Sequence, residues 1–305
     1  MASTIKPYLQ LVRLPNLFTA AADPLAGWLL ATGTLAGPGR WLPLVAASVA
    51  IYAGGIVLND VFDFAVDLRE RPGRPLPSGR VSRRLAAWAG GSALALGPAL
   101  AACSGSPTSF LVALVLAGAV LGYDAGLKRT PLGPQVMGAC RGLNLLLGLS
   151  QAPDLGGLSA WEVAFAFALF VTGVTWISRS EVETGRTRGL VAGLILQGAA
   201  LLDLAAALGF PDRFPSPGAV GPILPRGGDG LVVLLVVAAI VGRAGVRAFR
   251  RPVPETFQRA VKTGVLSLVW LDVAAVAAVR GPVAALAVAA LWLPAFLLGR
   301  RLYST

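Results

Sequence analysis

Residues 59–79 read N-D-V-F-D-F-A-V-D-L-R-E-R-P-G-R-P-L-P-S-G, and they begin where a long apolar run ends. The stretch carries Asp60, Asp63, Asp67 and Glu70, with Arg69, Arg71, Arg74 and Arg80 interleaved or just beyond. If the preceding helix continues through Asp67, then Asp60, Asp63 and Asp67 stand at i, i+3 and i+7. They then share one face about a turn apart. Carboxylates that close repel one another unless a cation sits between them. A hard cation such as Mg²⁺ takes oxygen ligands and commonly bridges one or two carboxylates to phosphate groups. The arginines beside them are the residue type that forks onto phosphate oxygens.

Working outward, the chain has 305 residues, of which 55% are hydrophobic and 13% charged. Its mean hydropathy is +0.71. Soluble domains carry about a quarter charged residues, so this chain has too little polar surface to coat itself against water. The expected class is all-α, a polytopic membrane bundle of nine or ten helices forming a single domain over 1–305. Ten apolar segments fall near 14–34, 41–62, 82–103, 107–125, 133–151, 160–178, 188–209, 230–249, 258–278 and 281–299. Each is about 20 residues, enough to span as a helix, and strand-like alternation is absent. Lys6 and Arg13 precede the first run with no cleavage site after it, which reads as a retained helix rather than a leader.

Alternating the connections between two sides collects most of the 26 Lys and Arg on one side. Only Arg40, Arg213, Arg226 and Arg280 fall opposite, and Arg141 lies within a segment. The positive-inside rule then puts the 59–84 loop in the cytoplasm of a bacterial-type inner or plasma membrane. This distribution also explains the net charge of +11 without nucleic acid. Three polar connections, 59–84, 124–133 and 178–189, share that face. The chain has no histidine, which excludes histidine acid–base catalysis and a Ser-His triad. Cys103 and Cys140 both lie in apolar segments and suggest neither a disulfide nor a zinc site.

Inside the segments, Arg141 and Asn144 share a face at i, i+3. An arginine within a span is costly and faces a partner or a cavity. Arg141 either pairs with Asp23 to lock helices together or lines a substrate cavity. Asp203 and Asp272 stand near the outer ends of their segments and read as interfacially solvated. The seven Trp lie mostly near segment ends, as interface anchors do.

The pattern N-D-x-x-D-x-x-x-D followed by R-P-L-P-S-G at the end of the second span resembles the UbiA superfamily of intramembrane prenyltransferases. The resemblance extends to R-L-P-N at 13–16, Y-D-A-G-L-K-R at 123–129 and a second polar loop after the sixth span. It implies a ring of helices around a central cavity open sideways to lipid. It also implies Mg²⁺ on Asp60, Asp63 and Asp67, with Lys128 beside them as catalytic residues. Asn16, Asn59, Arg74, Tyr123, Arg129, Arg141, Asn144, Arg179, Glu181 and Glu183 are the implied substrate contacts. The implied substrates are a prenyl diphosphate and a lipophilic or aromatic acceptor.

The second loop, S-R-S-E-V-E-T-G-R-T-R-G, departs from the family's aspartate-rich second motif, because it offers only Glu181 and Glu183. Two residues apart, these diverge by about 200° on a helix. The S-R-S-E-V variant and C-R-G-L-N at 140–144 look more like the EboC-like branch. A degenerate second motif also suits a non-catalytic isoprenoid or lipid-phosphate binder. A secondary transporter is disfavoured, since no inverted repeat is visible and the acids sit at a helix end.

Overall fold

The computed structural model describes residues 2–179, 187–209 and 228–302. These fold into thirteen α-helices: α1 Ala2–Leu11, α2 Leu14–Thr32, α3 Pro38–Phe62, α4 Phe64–Glu70, α5 Arg83–Ala102, α6 Pro107–Ala125, α7 Gly133–Leu149, α8 Gly157–Arg179, α9 Arg188–Leu208, α10 Gly228–Arg250, α11 Pro254–Arg280, α12 Pro282–Ala289 and α13 Trp292–Leu302. All ten apolar segments are helical, and no strand occurs among the described residues.

Prolines and glycines set many of the boundaries. Pro38, Pro107, Pro254 and Pro282 open their helices, where the missing N–H has no intrahelical partner to lose. Gly33 closes α2 in the left-handed region at φ 69°, a position that glycine occupies without a Cβ penalty.

Each spanning helix packs against the next in sequence, from α2 through α3 and α5 to α11, and α11 closes the circuit on α2. Further contacts cross the ring, between α2 and α7, α3 and α6, and α8 and α11. The tenth segment stands outside this circuit. It packs on α11 and α2 and is broken after Ala289. Pro294 supplies the reason, because it cannot donate back to the carbonyl four residues earlier. Trp292 ties this segment on by packing at a tilt against Trp270 of α11, ring centroids 5.7 Å apart and planes 59° apart.

Among the described residues, eight helical segments are long and apolar enough to cross a membrane. Helices α2 and α7 are less apolar or shorter, and they are the most enclosed. Every residue from Thr19 to Ala31 of α2 is buried. A helix surrounded by protein can carry polar side chains that lipid would reject, and Asp23, Arg141 and Asn144 are on these two. Gly27 and Gly148 let them meet. A Cβ at Gly27 would strike the Leu145 carbonyl, and one at Gly148 would strike that of Pro24. Small residues allow this backbone approach in the absence of a hydrophobic drive between helices.

Candidate active site

The acidic motif departs from the single continuous helix that its spacing predicts. Helix α3 ends at Phe62, Asp63 sits at the joint with φ −86° and ψ 3°, and α4 begins at Phe64. The joint keeps helical hydrogen bonds, from Asp63 N to Asn59 O and from Asp67 N to Asp63 O. Asp60 and Asp67 are 5% and 4% exposed, while Asp63 is half-buried. Helix α4 stops at Arg71, since the residue before Pro72 is pushed out of the helical region.

The loop that follows places Arg74. Leu76 and Val81 are buried with Leu11, Val57, Val61 and Ala86, which pins the proline-rich segment against α1, α3 and α5. Arg74 Nη1 then lies 2.7 Å from Asp67 Oδ2 and 3.5 Å from Asp60 Oδ1. One guanidinium thus stands between two buried carboxylates. Arg13 reaches Asp60 Oδ1 at 3.4 Å from the α1–α2 joint, where its own backbone is left-handed at φ 47°. A non-glycine residue there is strained, by about 1–3 kcal/mol.

The third carboxylate is gripped from elsewhere in the chain. A 3₁₀ turn, Leu127–Arg129, follows α6. Lys128 Nζ lies 2.7 Å from Asp63 Oδ2, and Arg129 Nη2 lies 3.5 Å from Asp63 Oδ1. Asn59 Nδ2 donates to Asp124 Oδ1 at 2.7 Å, which ties α3 to α6 beneath the rim. Arg179 reaches no carboxylate of the motif. Its Nη2 donates to the carbonyls of Lys128 and Thr130, both at 2.7 Å, and so holds the turn that presents Lys128. Tyr123 lies in electrostatic range of Arg179 and Asp63. Glu181 and Glu183 fall outside the described residues.

Deeper in the ring, Arg141 pairs with Asp23, Nη2 to Oδ1 2.5 Å, and donates to the Thr19 carbonyl at 3.0 Å. Asn144 Nδ2 donates to Asp23 Oδ2 at 2.7 Å and to the Ala20 carbonyl at 2.9 Å. The helix-locking partner expected for Arg141 is therefore present. Asp272 is not the solvated residue its position suggests. It is fully buried on α11, with Oδ2 3.9 Å from Arg141 Nη2. Asp203 is half-buried, and its Oδ2 has no hydrogen-bond partner among the described residues. Trp28 is also buried, with its Nε1 donating to the Thr34 carbonyl.

Among the described residues, no three carboxylates or thiols come close enough together to form a metal-binding group. The donor chemistry of the rim nonetheless suits Mg²⁺. Asp60, Asp63 and Asp67 are all-oxygen donors, and Arg74 already supplies a positive charge between two of them.

Sequence reasoning missed the roles of three residues here. Arg13 and Asp124 lie within the R-L-P-N and Y-D-A-G-L-K-R motifs and could have been found there. Asp272 stood out as an acid in an apolar segment, but only the packing of α2, α7 and α11 reveals its partners.

Fold and rim together define an integral membrane helix bundle with an acid–base site at one face. The model of the UbiA prenyltransferase family matches residues 24–261, and the chain belongs to that family. Among curated relatives it is 31% identical over 275 residues to the digeranylgeranylglyceryl phosphate synthase of Methanopyrus kandleri, covering 86% of this chain and 96% of that one. It is 33% identical over 145 residues to the enzyme of the same name from Metallosphaera sedula. There the match spans 47% of this chain and only 51% of the relative. A solved structure concerned with digeranylgeranylglyceryl phosphate synthase in membranes shares the fold with TM-score 0.66 and 19% identity, covering 91% of this chain and 99% of that one. A UbiA homologue from Archaeoglobus fulgidus bound to DMAPP and Mg²⁺ superposes with TM-score 0.56 and 15% identity, covering 86% and 98%.

Proposed function

We propose that this protein transfers a prenyl chain from an allylic diphosphate to an acceptor at the α3–α4 rim. The observation that carries the reading is the meeting of the D-x-x-D-x-x-x-D carboxylates with cations drawn from Arg13, Arg74, Lys128 and Arg129. Asp60, Asp63 and Asp67 would hold Mg²⁺, which, when bound, supplies electrostatic stabilisation of charge on the leaving diphosphate.

The chain's own residues do the rest. Arg74, Lys128, Arg129 and Arg13 turn from their carboxylates to the diphosphate oxygens and stabilise the charge that develops as the C–O bond breaks. Arg179 holds the Lys128 turn in place, and Tyr123 lines the same end of the site. Apolar walls from the surrounding helices exclude water from the allylic cation. No group in this scheme needs to be a histidine.

The rim faces the cytoplasm under the positive-inside rule. The relatives named digeranylgeranylglyceryl phosphate synthase favour a lipid glyceryl acceptor over an aromatic one. The S-R-S-E-V and C-R-G-L-N segments support placement in the EboC-like branch, and a panel of allylic diphosphates of increasing length would place the protein. The degenerate second motif supports a second reading, a binder of isoprenoid phosphates without turnover. Incubating purified protein with allylic diphosphate and Mg²⁺ tests both. Asp63→Ala is expected to abolish diphosphate release, and unchanged turnover in that variant would refute the assignment.

A further inference from the structure

The turn between α10 and α11 gathers charge. Residues 243–262 hold six basic side chains, Arg243, Arg247, Arg250, Arg251, Arg259 and Lys262, against one acid, Glu255. Two prolines keep the turn short, since Pro252 cannot donate back to α10 and Pro254 opens α11. The Thr256 hydroxyl fixes it by donating to the carbonyls of Arg251 and Val253, at 2.6 and 2.8 Å. Beneath it, Ala248, Phe257 and Ala260 are buried with Ile177 of α8 and Leu190 of α9, so the turn rests on a packed floor. It lies at the same face as the rim, because the opposite end of α11 meets the opposite end of α2, where Arg280 donates to the Leu29 carbonyl at 3.2 Å.

A cleft of about 270 Å³ opens here between α10 and α11, and none of its lining residues belongs to the rim. Arg247 of α10 and Arg259 and Lys262 of α11 line it, all three exposed. No carboxylate lines the cleft, and among the described residues none of the three makes an ion pair. At the rim, by contrast, Arg13, Arg74, Lys128 and Arg129 are each held by an aspartate. Thr263 also lines the cleft, but its hydroxyl donates to the Arg259 carbonyl at 2.7 Å, as that of Thr256 does to the turn. The three cations are therefore what the cleft offers a ligand. Like charges drawn to one place repel unless an opposite charge joins them. Arg243, Arg250 and Arg251 do not line the cleft and read as ordinary interface anchors.

The cleft changes character with depth. Leu266 lines its inner end, about 6 Å along α11 from Lys262. Ala244 stands opposite on α10, and beyond it the outward positions of that helix are Ile240, Val236 and Leu235. A free anion would use only the charged end, whereas an amphiphile uses both.

We propose that this cleft binds the anionic phosphate headgroup of a membrane lipid, with the acyl chains running over Leu266 and the outward face of α10. Basic pockets between spanning helices recognise acidic headgroups by charge in this way. The inference is independent of prenyl transfer, because the cleft would take the same lipid in a protein without turnover.

The test mixes the purified chain in detergent with equal amounts of dioleoylphosphatidylglycerol and dioleoylphosphatidylcholine and counts the retained lipids by native mass spectrometry. The wild type is expected to retain the acidic lipid over the zwitterionic one by about tenfold or more, the scale that three cations at a membrane surface supply. Replacing both Arg259→Gln and Lys262→Gln should lower the preference to about threefold or less. The pair Arg250→Gln and Arg251→Gln removes the same charge from the same turn outside the cleft and should leave the preference intact. All four side chains are exposed, and circular dichroism confirms that both variants fold. Equal retention of the two lipids by the wild type would overturn the proposal without any variant. A preference that survives the Arg259 and Lys262 changes, or that falls equally in both variants, would also overturn it, since the charge would then act diffusely. Displacement of phosphatidylglycerol by equimolar inorganic phosphate would overturn the lipid assignment and give the cleft to a soluble anion.

Discussion

Replacing Arg74 by alanine separates the two jobs that a cation does at the rim. Arg74 Nη1 is 2.7 Å from Asp67 Oδ2 and 3.5 Å from Asp60 Oδ1, and those carboxylate side chains are only 6% and 7% exposed. A hydrogen bond to a charged group contributes about 1.5–3 kcal/mol. The longer contact, at a partly exposed guanidinium, adds about 0.5 kcal/mol. Arg74→Ala should therefore destabilise the protein by about 3 kcal/mol, because it leaves two buried like charges facing each other. A divalent ion bound in place of the guanidinium stabilises the folded form by RT ln(1 + [L]/Kd), about 2.7 kcal/mol at a hundredfold its dissociation constant. Mg²⁺ should thus restore most of the loss in the variant. In the wild type it should add less, since it must first displace the arginine. The assay is equilibrium unfolding in mixed micelles followed by tryptophan fluorescence, with Mg²⁺ compared against K⁺ at equal ionic strength. Equal recovery with K⁺ would mean simple screening, and no recovery would mean that Asp60 and Asp67 do not share a cation site. Either result refutes the reasoning.

Further outcomes follow from other contacts. Arg179→Ala removes two 2.7 Å bonds to the Lys128 turn. It should raise KM for the allylic diphosphate about tenfold with kcat nearly unchanged, as expected for a group worth about 1.4 kcal/mol of binding; a fall in kcat at constant KM would contradict a positioning role. Gly148→Ala forces a methyl group onto the Pro24 carbonyl. It should cost about 1–3 kcal/mol in the same unfolding assay and weaken the α2–α7 lock, whereas Gly118→Ala, with open space at its Cβ, should not. Cys103 is exposed at the α5–α6 turn, opposite the rim. A membrane-impermeant maleimide should label it from the outer face of right-side-out vesicles, and labelling only after inversion would reverse the proposed topology.

What could be read from the chain in advance depends on distance along it. Asp60, Asp63, Asp67 and Arg74 are neighbours in sequence, so their spacing alone announces an acidic face beside phosphate-binding side chains. Even there, the interruption of the helix at Asp63 was not legible. No proline or glycine marks it, and the bridge-region conformation of one residue has no compositional signature. The ten apolar segments were legible as helices because a run of about twenty apolar residues has few other uses. Asp272 was misread as interfacial because its segment position was judged without knowing that α11 closes the ring onto α2.

By itself, then, the sequence determined a membrane bundle built from ten apolar helical segments and a candidate acid–base motif at the end of the second, and its one-sided distribution of arginine and lysine supports the orientation proposed above. These depend on local hydropathy, charge and short-range spacing, which a linear chain displays directly. Tertiary structure alone decided that Lys128 and Arg129 grip Asp63, that Arg179 serves the turn rather than the carboxylates, and that Asp23, Arg141, Asn144 and Asp272 converge. Each of those pairings joins residues tens to hundreds of positions apart, and their partners are chosen by which helices pack together, through close approaches such as Gly27 against Gly148 that no local pattern announces.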